Sequence, residues 1–292
     1  GGVTTVFDMP NTKPATTTQE RLQNKFVIID EQLAEVGLPL RYKLFFGADK
    51  NQFHEIVKVK ADIAGIKVFM GASTGDLLMD DESSLHAVYA LAKAHGLLIA
   101  LHAEDELIIR HNAAKYADQT DFKYHSIIRE PQAAVKAVQL VIELAELYQV
   151  PSYILHVSTQ GELDLVKAAK ARGVMVYIET CPHYLFLDDS QYSNLYWRGK
   201  MNPPLRSKID QDVLWQALNE GVIDTIGSDH APHQLNEKEQ PLCKCPSGVP
   251  GIETTLPLLI TAWRENKLSL AKLVALTHDN PQQIFNLPVN DD

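Results

Sequence analysis

Cysteine is scarce: three residues in 292, at positions 181, 243 and 245. So few, and an odd number, exclude a disulfide scaffold and fit a reducing, cytoplasmic compartment. One residue separates Cys243 from Cys245, and no second Cys/His pair nearby completes a zinc site, so both are read as loop residues. No run of about 18 apolar residues occurs, which leaves no candidate membrane helix. The sequence opens without a basic start followed by an apolar stretch, so it does not read as a secretory signal. Positive charge is outnumbered, 27 Lys and Arg against 37 Asp and Glu, for a net charge of −10. That balance argues against nucleic acid or an anionic membrane as the main partner. It leaves room for a small anionic substrate in a local basic pocket. A starting Met is also missing, and Gly1–Thr12 runs almost at once into strand-like sequence, so the expectation is an internal fragment.

What is present suits a large core. Hydrophobic residues make up 45% and charged residues 22%. Short β-branched or apolar runs recur at Thr4–Met9, Tyr42–Gly47, Gly65–Met70, Leu97–His102, Ser152–His156, Val174–Glu179 and Ile223–Ser228. Each has the length and continuity expected of a strand buried on both faces. Between them lie amphipathic stretches at Gln19–Val36, Ser83–His95, Pro131–Tyr148, Gln160–Arg172 and Gln211–Asn219, with Thr254–Glu265 and Leu268–His278 closing the chain. Strands alternating with helices imply parallel βαβ units. The expected fold class is α/β, a (β/α)8 barrel whose first strand is missing from this chain. Residues 1–292 would form a single, N-terminally incomplete domain. The alternative is a seven-stranded open doubly wound sheet.

Active sites of α/β barrels lie at the C-terminal ends of the strands. Those ends here carry Asn11, Lys67, His102, His156, His183, Asp229 and His233. One His after an apolar run is ordinarily structural, but several on successive strands of one barrel converge on a point. Imidazole and carboxylate are ligands for zinc and similar ions. A metal makes hydroxide available near neutrality, and a carboxylate beside it moves the proton to a leaving nitrogen. Asp229, at the end of the last strand, is the best such carboxylate. The residues therefore point to metal-assisted hydrolysis, of a C–N bond.

The segments GGVTTVFDMPNT (1–12), GIKVFMG (65–71), LHAED (101–105), ILHVST (154–159), MNPPLR (201–206), SDHAPH (228–233) and SGVPGIETTLPLL (247–259) resemble those of dihydroorotases. The likeness is strongest to type I enzymes and to the dihydroorotase domain of the animal multifunctional pyrimidine-synthesis protein. It implies a barrel with a two-zinc centre that reversibly closes N-carbamoyl-L-aspartate to L-dihydroorotate in pyrimidine biosynthesis. By motif, Lys67 matches a metal-bridging lysine carbamate, and His102 and His156 match ligands of the second metal. Asp229 matches the metal ligand that also serves as general base and acid. Asn11, Asn202, His233, Ser247 and Gly248 match substrate-binding residues. The resemblance also implies a homodimer and association with aspartate transcarbamoylase. Residues 234–246 look like a mobile lid, and His230 is expected to support Asp229.

The family places a His-x-His pair at the end of the first strand, and none occurs here. The expectation is weak or absent activity for this chain, and exposed sheet edges. Two rivals stay open: a hydantoinase or allantoinase, for which LHAED and ILHVST serve equally well, and a non-catalytic dihydroorotase-like scaffold.

Overall fold

The structure is a computed structural model that describes residues 2–72 and 77–288. Seven parallel strands form its centre: β1 (Thr5–Asp8), β2 (Arg41–Gly47), β3 (Gly65–Phe69), β4 (Ile99–His102), β5 (Ser152–Ile154), β6 (Val176–Thr180) and β7 (Thr225–Ile226). Each pairs with its sequence neighbour, in the order β1 to β7. A doubly wound sheet reverses its strand order at a switch point. No reversal occurs here, so the doubly wound alternative falls.

The sheet is curled. The Phe285 ring lies 4.4 Å from that of Phe7 on β1, 5.9 Å from Phe45 on β2 and 5.1 Å from Tyr153 on β5, centroid to centroid. In a flat sheet β1 and β5 would stand four strand spacings, about 19 Å, apart. One ring can touch both only if the sheet wraps around it. Two cores result. Leu44, Phe46, Ile66, Val68, Ile99, Leu101, Ile154, Val176 and Ile178 pack outward in the large cluster shared with the helices. Phe45, Ala100, Tyr153 and Leu155 form an inner cluster with Phe7, Tyr177 and Phe285.

Helices Gln19–Val36 and Pro131–Tyr148 fall where the periodicity predicts them. Thr18 caps the first by accepting from the Arg21 amide, and Gly37 ends it at φ 62°. Elsewhere the ends shift. The helix expected from Ser83 starts at Glu82, because Asp81 is the cap, its carboxylate accepting from the Ser84 amide. The expected strand 152–156 stops at Ile154, because His156 turns out of the sheet at φ 43°. The expected strand 223–228 shrinks to Thr225–Ile226, with Asp229 likewise at φ 43°. The expected closing helix 268–278 begins at Leu270, widens to a π turn at Ala275–Asp279 and resumes at Asn280–Ile284. Pro281 explains the widening, since it has no N–H and its ring clashes with the preceding turn. Among the described residues, no helix is long and apolar enough to cross a membrane.

Phe285→Ala removes the ring that the inner face wraps around. It should lower the unfolding free energy by about 2–3 kcal/mol in urea titration, whereas an unchanged midpoint would mean the inner cluster does not depend on it.

Candidate active site

Strand register decides which side chains face inward. Phe45 pairs with Gly65, Gly47 with Lys67, Lys67 with Ala100, and Phe69 with His102. Farther round, Ala100 pairs with Tyr153, Tyr153 with Tyr177, and Glu179 with Thr225. Side chains alternate along a strand, so all of these residues share the inner face. Its floor is aromatic. Nearer the C-terminal strand ends it turns polar at Lys67, His102 and Glu179.

His102 and His156, from adjacent strand exits, meet directly. His102 Nδ1 lies 3.0 Å from His156 Nε2, with the rings edge to face. The other nitrogen of His102, Nε2, is 2.9 Å from Glu104 Oε2. Glu104 is fully buried and also takes N–H donors from Arg129, whose Nε lies 3.0 Å from Oε2. Burial alone would raise the Glu104 carboxyl. The Arg129 charge and the His102 hydrogen bond outweigh it and hold it well below the ordinary carboxylate range. An ionised Glu104 must receive the Nε2 proton of His102, which leaves the His102 Nδ1 lone pair facing His156. Both imidazoles are pushed down by burial, His156 further by the His102 and Lys67 charges, so both are neutral. His156 Nδ1 is buried without a partner.

Lys67 is 2% exposed. Burial lowers its amine to about 7 against the pull of the Asp229 and Glu179 charges. Its Nζ sits 4.3 Å from the centre of the Phe69 ring. Burial raises Asp229 to about 6, opposed by the Lys67 charge. Glu179 joins this group and was not singled out in the sequence. Burial raises it to about 7, and the Tyr153 hydroxyl donates to it at 2.9 Å. Gly227 lies against it, and a Cβ there would displace the Glu179 carboxylate. Glu179 shares the parity of the inward-facing Tyr177 on β6, which is the signal in the sequence that went unread. His183, to which the sequence assigned no role, is half-buried, close enough for its charge to depress His156, and its Nε2 is buried without a partner.

The expected substrate-binding residues lie on loops beyond the strands. His233 Nε2 is 3.2 Å from the Ser247 carbonyl. Gly248 has φ 139°, and a Cβ there would come within 2.5 Å of the Ala231 carbonyl, so only glycine fits. Asn202 Oδ1 is buried without a partner. Asn11 follows β1 and is half-buried. His230, expected behind Asp229, instead accepts at Nδ1 from the Gly251 amide, 3.0 Å away. The expected lid, 234–246, is no free flap: buried Lys200 and Lys238 bond to its backbone and flanks, and Leu242 and Cys245 are buried. An open groove of about 480 Å³ runs past Pro232, His233, Gln234, Leu235 and Glu237, beside the expected substrate residues rather than over Lys67.

The facing imidazoles fit a metal. Two nitrogens on a tetrahedral zinc with bonds of about 2.0–2.1 Å stand about 3.3 Å apart, close to the observed 3.0 Å. Both rings are neutral, the ligating form, and Glu104 orients His102 from behind. Among the described residues no three His, Cys, Asp or Glu side chains converge on one point. His102 and His156 alone bring two nitrogens together there.

Two measurements follow from this network. Arg129→Met leaves a buried unpaired carboxylate and should cost about 3–5 kcal/mol in chemical denaturation. Adding Glu104→Gln should recover part of the loss, and independent, additive effects would dissolve the pair. His125 is buried, with Nε2 bonded to the Met201 carbonyl at 2.8 Å. Burial and the Lys200 and Arg129 charges lower it from 6.5 to about 3. The unfolded chain takes up this proton below pH 6.5 and the folded chain only near 3. Its contribution is therefore complete above 6.5 and falls by about 1.4 kcal/mol per pH unit below it. His125→Gln keeps the donor and loses the titration. Between pH 6.5 and 5 the native protein should lose about 2 kcal/mol more than this variant, and equal losses would contradict the assignment.

The likeness to known proteins runs the length of the chain. The model of the amidohydrolase family matches residues 1–290. The chain is 33% identical over 295 residues to a dihydroorotase of Methanosarcina acetivorans, covering 98% of this chain and 62% of that protein. It is 33% identical over 293 residues to the multifunctional protein CAD of Squalus acanthias, covering 100% of this chain and 11% of that protein. Among solved structures, the L-hydantoinase of Arthrobacter aurescens superposes with a TM-score of 0.89 at 30% identity, covering 98% of this chain and 64% of that one. The chain thus spans less than two thirds of the length of each of these three relatives. The family match takes in all seven strands and every residue of the inner polar face, and the chain belongs to the amidohydrolase family.

Proposed function

We propose that the protein is a dihydroorotase, hydrolysing the ring amide of L-dihydroorotate to N-carbamoyl-L-aspartate and catalysing the reverse closure in pyrimidine biosynthesis. The observation that carries this reading is the meeting of His102 with His156 on the face that also holds Lys67 and Asp229. Identity of 33–34% to several dihydroorotases over nearly the whole chain supports the substrate. We further read the sheet as a (β/α)8 barrel whose remaining strand lies outside this sequence. Zinc, a homodimer, contact with aspartate transcarbamoylase and a cytoplasmic location belong to the same reading.

Asp229 acts as base and acid. Near neutrality a carboxyl raised to about 6 is mostly ionised, yet basic enough to accept a proton from water as it adds to the amide carbon. It then returns that proton to the ring nitrogen as the C–N bond breaks. In closure the same steps run backward and release water. His102 and His156 would hold a divalent metal, with Asp229 and the carbamate of Lys67 completing its surroundings. The chemistry supplied by that metal is Lewis acidity, which eases deprotonation of water and polarises the carbonyl. A Lys67 amine near 7 is substantially neutral at physiological pH and adds carbon dioxide, releasing one proton. Asn11, Asn202, His233, Ser247 and Gly248 orient the substrate, with amide side chains and backbone reading its ring amide and carboxylate.

A hydantoinase is the second reading, favoured by the superposition on the Arthrobacter enzyme. Ring opening of dihydroorotate and hydantoin by the zinc-supplied protein separates the two, and the ratio of the rates decides rather than their size. Dihydroorotate should be preferred, and Asp229→Asn should lower kcat/KM at least about a hundredfold. Preference for hydantoin would reverse the order, and a chain that binds no metal would be a scaffold. Intact mass in bicarbonate should show one added carbon dioxide, increasingly as pH rises through 7 and never in Lys67→Arg.

A further inference from the structure

Two buried lysines lie outside the chemistry described so far. Lys200 is 9% and Lys238 5% exposed. Among the described residues neither ammonium faces a carboxylate. The titratable neighbours of Lys238 are Cys245 and Lys200, and those of Lys200 are Cys245, Arg129, Cys243, His125 and Lys238. Both bond to backbone carbonyls instead. Lys238 Nζ donates to Lys200 O at 2.8 Å, Pro246 O at 3.0 Å and Gly248 O at 3.0 Å. An ammonium has three N–H donors, and here each has a carbonyl. Lys200 Nζ donates to Leu242 O at 2.8 Å and Cys245 O at 2.5 Å.

The carbonyls that Lys238 gathers belong to two separate segments. One leads through Lys200 to Asn202, whose side-chain oxygen is buried and unpartnered. The other holds Ser247, whose carbonyl meets His233, and Gly248, whose amide donates to Lys200 O at 3.0 Å. The Gly248 amide and the Lys200 ammonium, through Leu242 O and Cys245 O, join the same two stretches of chain. A buried cation is costly unless its hydrogen bonds are complete, so its retention here marks a position where the backbone must be held.

We propose that Lys238 is a positioning residue, whose ammonium clamps the segment bearing Asn202 to the segment bearing Ser247 and Gly248 and so fixes the substrate-facing wall. The clamp rests on the reading of Asn202, His233, Ser247 and Gly248 as substrate contacts. Lys200 braces it from the other side by holding the 242–245 turn. Without the Lys238 ammonium, the Pro246 and Gly248 carbonyls lose this donor, Lys200 O keeps only the Gly248 amide, and the wall loosens, while the inner polar face stays as it is.

Amide hydrogen exchange tests this without reference to turnover. In Lys238→Met the Gly248 amide, bonded to Lys200 O, should exchange at least about tenfold faster, with helix Pro131–Tyr148 unchanged. Methylammonium added to Lys238→Ala should restore protection, and tetramethylammonium, which has no N–H, should not. Unchanged exchange in the folded variant, or equal rescue by both cations, overturns the clamp. If Lys238→Met fails to fold, Lys238→Ala folded in methylammonium carries the test, and loss of protection on removing the amine is the expected result. Dihydroorotate kinetics then separate the two readings. A KM that rises while kcat holds supports the wall as the substrate contact. Loosened exchange with KM unmoved keeps the clamp and overturns that reading of the four residues.

Discussion

Glu104 is a carboxylate with no access to water, and much of the site is arranged to keep it charged. A lone carboxylate at such a depth would protonate or destabilise the fold. Arg129 prevents this with its N–H donors, and Arg206 stands with Nη2 3.9 Å away. Neither guanidinium serves only Glu104. Arg129 also donates to the Ala72 carbonyl beyond β3, and Arg206 to the Ser158 hydroxyl beyond β5 and to the carbonyl of Arg129. One desolvated charge therefore ties together the exits of β3, β4 and β5 and the segment that carries Asn202. The hydrogen bond to His102 is one arm of this network, which is how a structural ion pair comes to set the tautomer of the imidazole that faces His156.

Backbone strain does related work at two other strand ends. His156 and Asp229 both adopt φ 43°, a region disfavoured for residues with a Cβ. The turn stops the strand and aims the side chain toward the axis of the curl. The surroundings must hold such residues in place. Val157 donates to the Glu179 carbonyl at 2.7 Å, and Ala231 pairs with Val249 at 3.0 Å. Gly227 and Gly248 leave the space these turns need.

Lys67, Asp229 and Glu179 form a cluster whose charge state depends on chemistry as well as pH. As an ammonium, Lys67 offsets one carboxylate. As a carbamate it would add a third negative charge, which is the arrangement that favours cations between them. The sequence that carries this face is similar to that of dihydroorotases, and its fold to that of a hydantoinase. The loops above it carry Asn202, whose side-chain oxygen is buried without a partner, and His233, which meets the Ser247 carbonyl.

Much of this was legible beforehand. Continuous apolar runs located every strand, since a strand covered on both faces has no polar alternation to hide it. Thr18 and Gly37 marked the ends of their helix because capping is a local event. Lys67, His102, His156 and Asp229 stood out because a polar group closing a buried strand is conspicuous in one dimension. The fold decided the rest. His102 finds His156 across 54 residues, Arg129 finds Glu104 across 25, and Lys238 finds Lys200 across 38. Glu179 gained meaning only when the register set it on the inner face beside Asp229. Periodicity records how each residue is buried. Which charge answers which in a dry interior depends on where the curled sheet brings distant segments, and for this protein only the tertiary structure decided that.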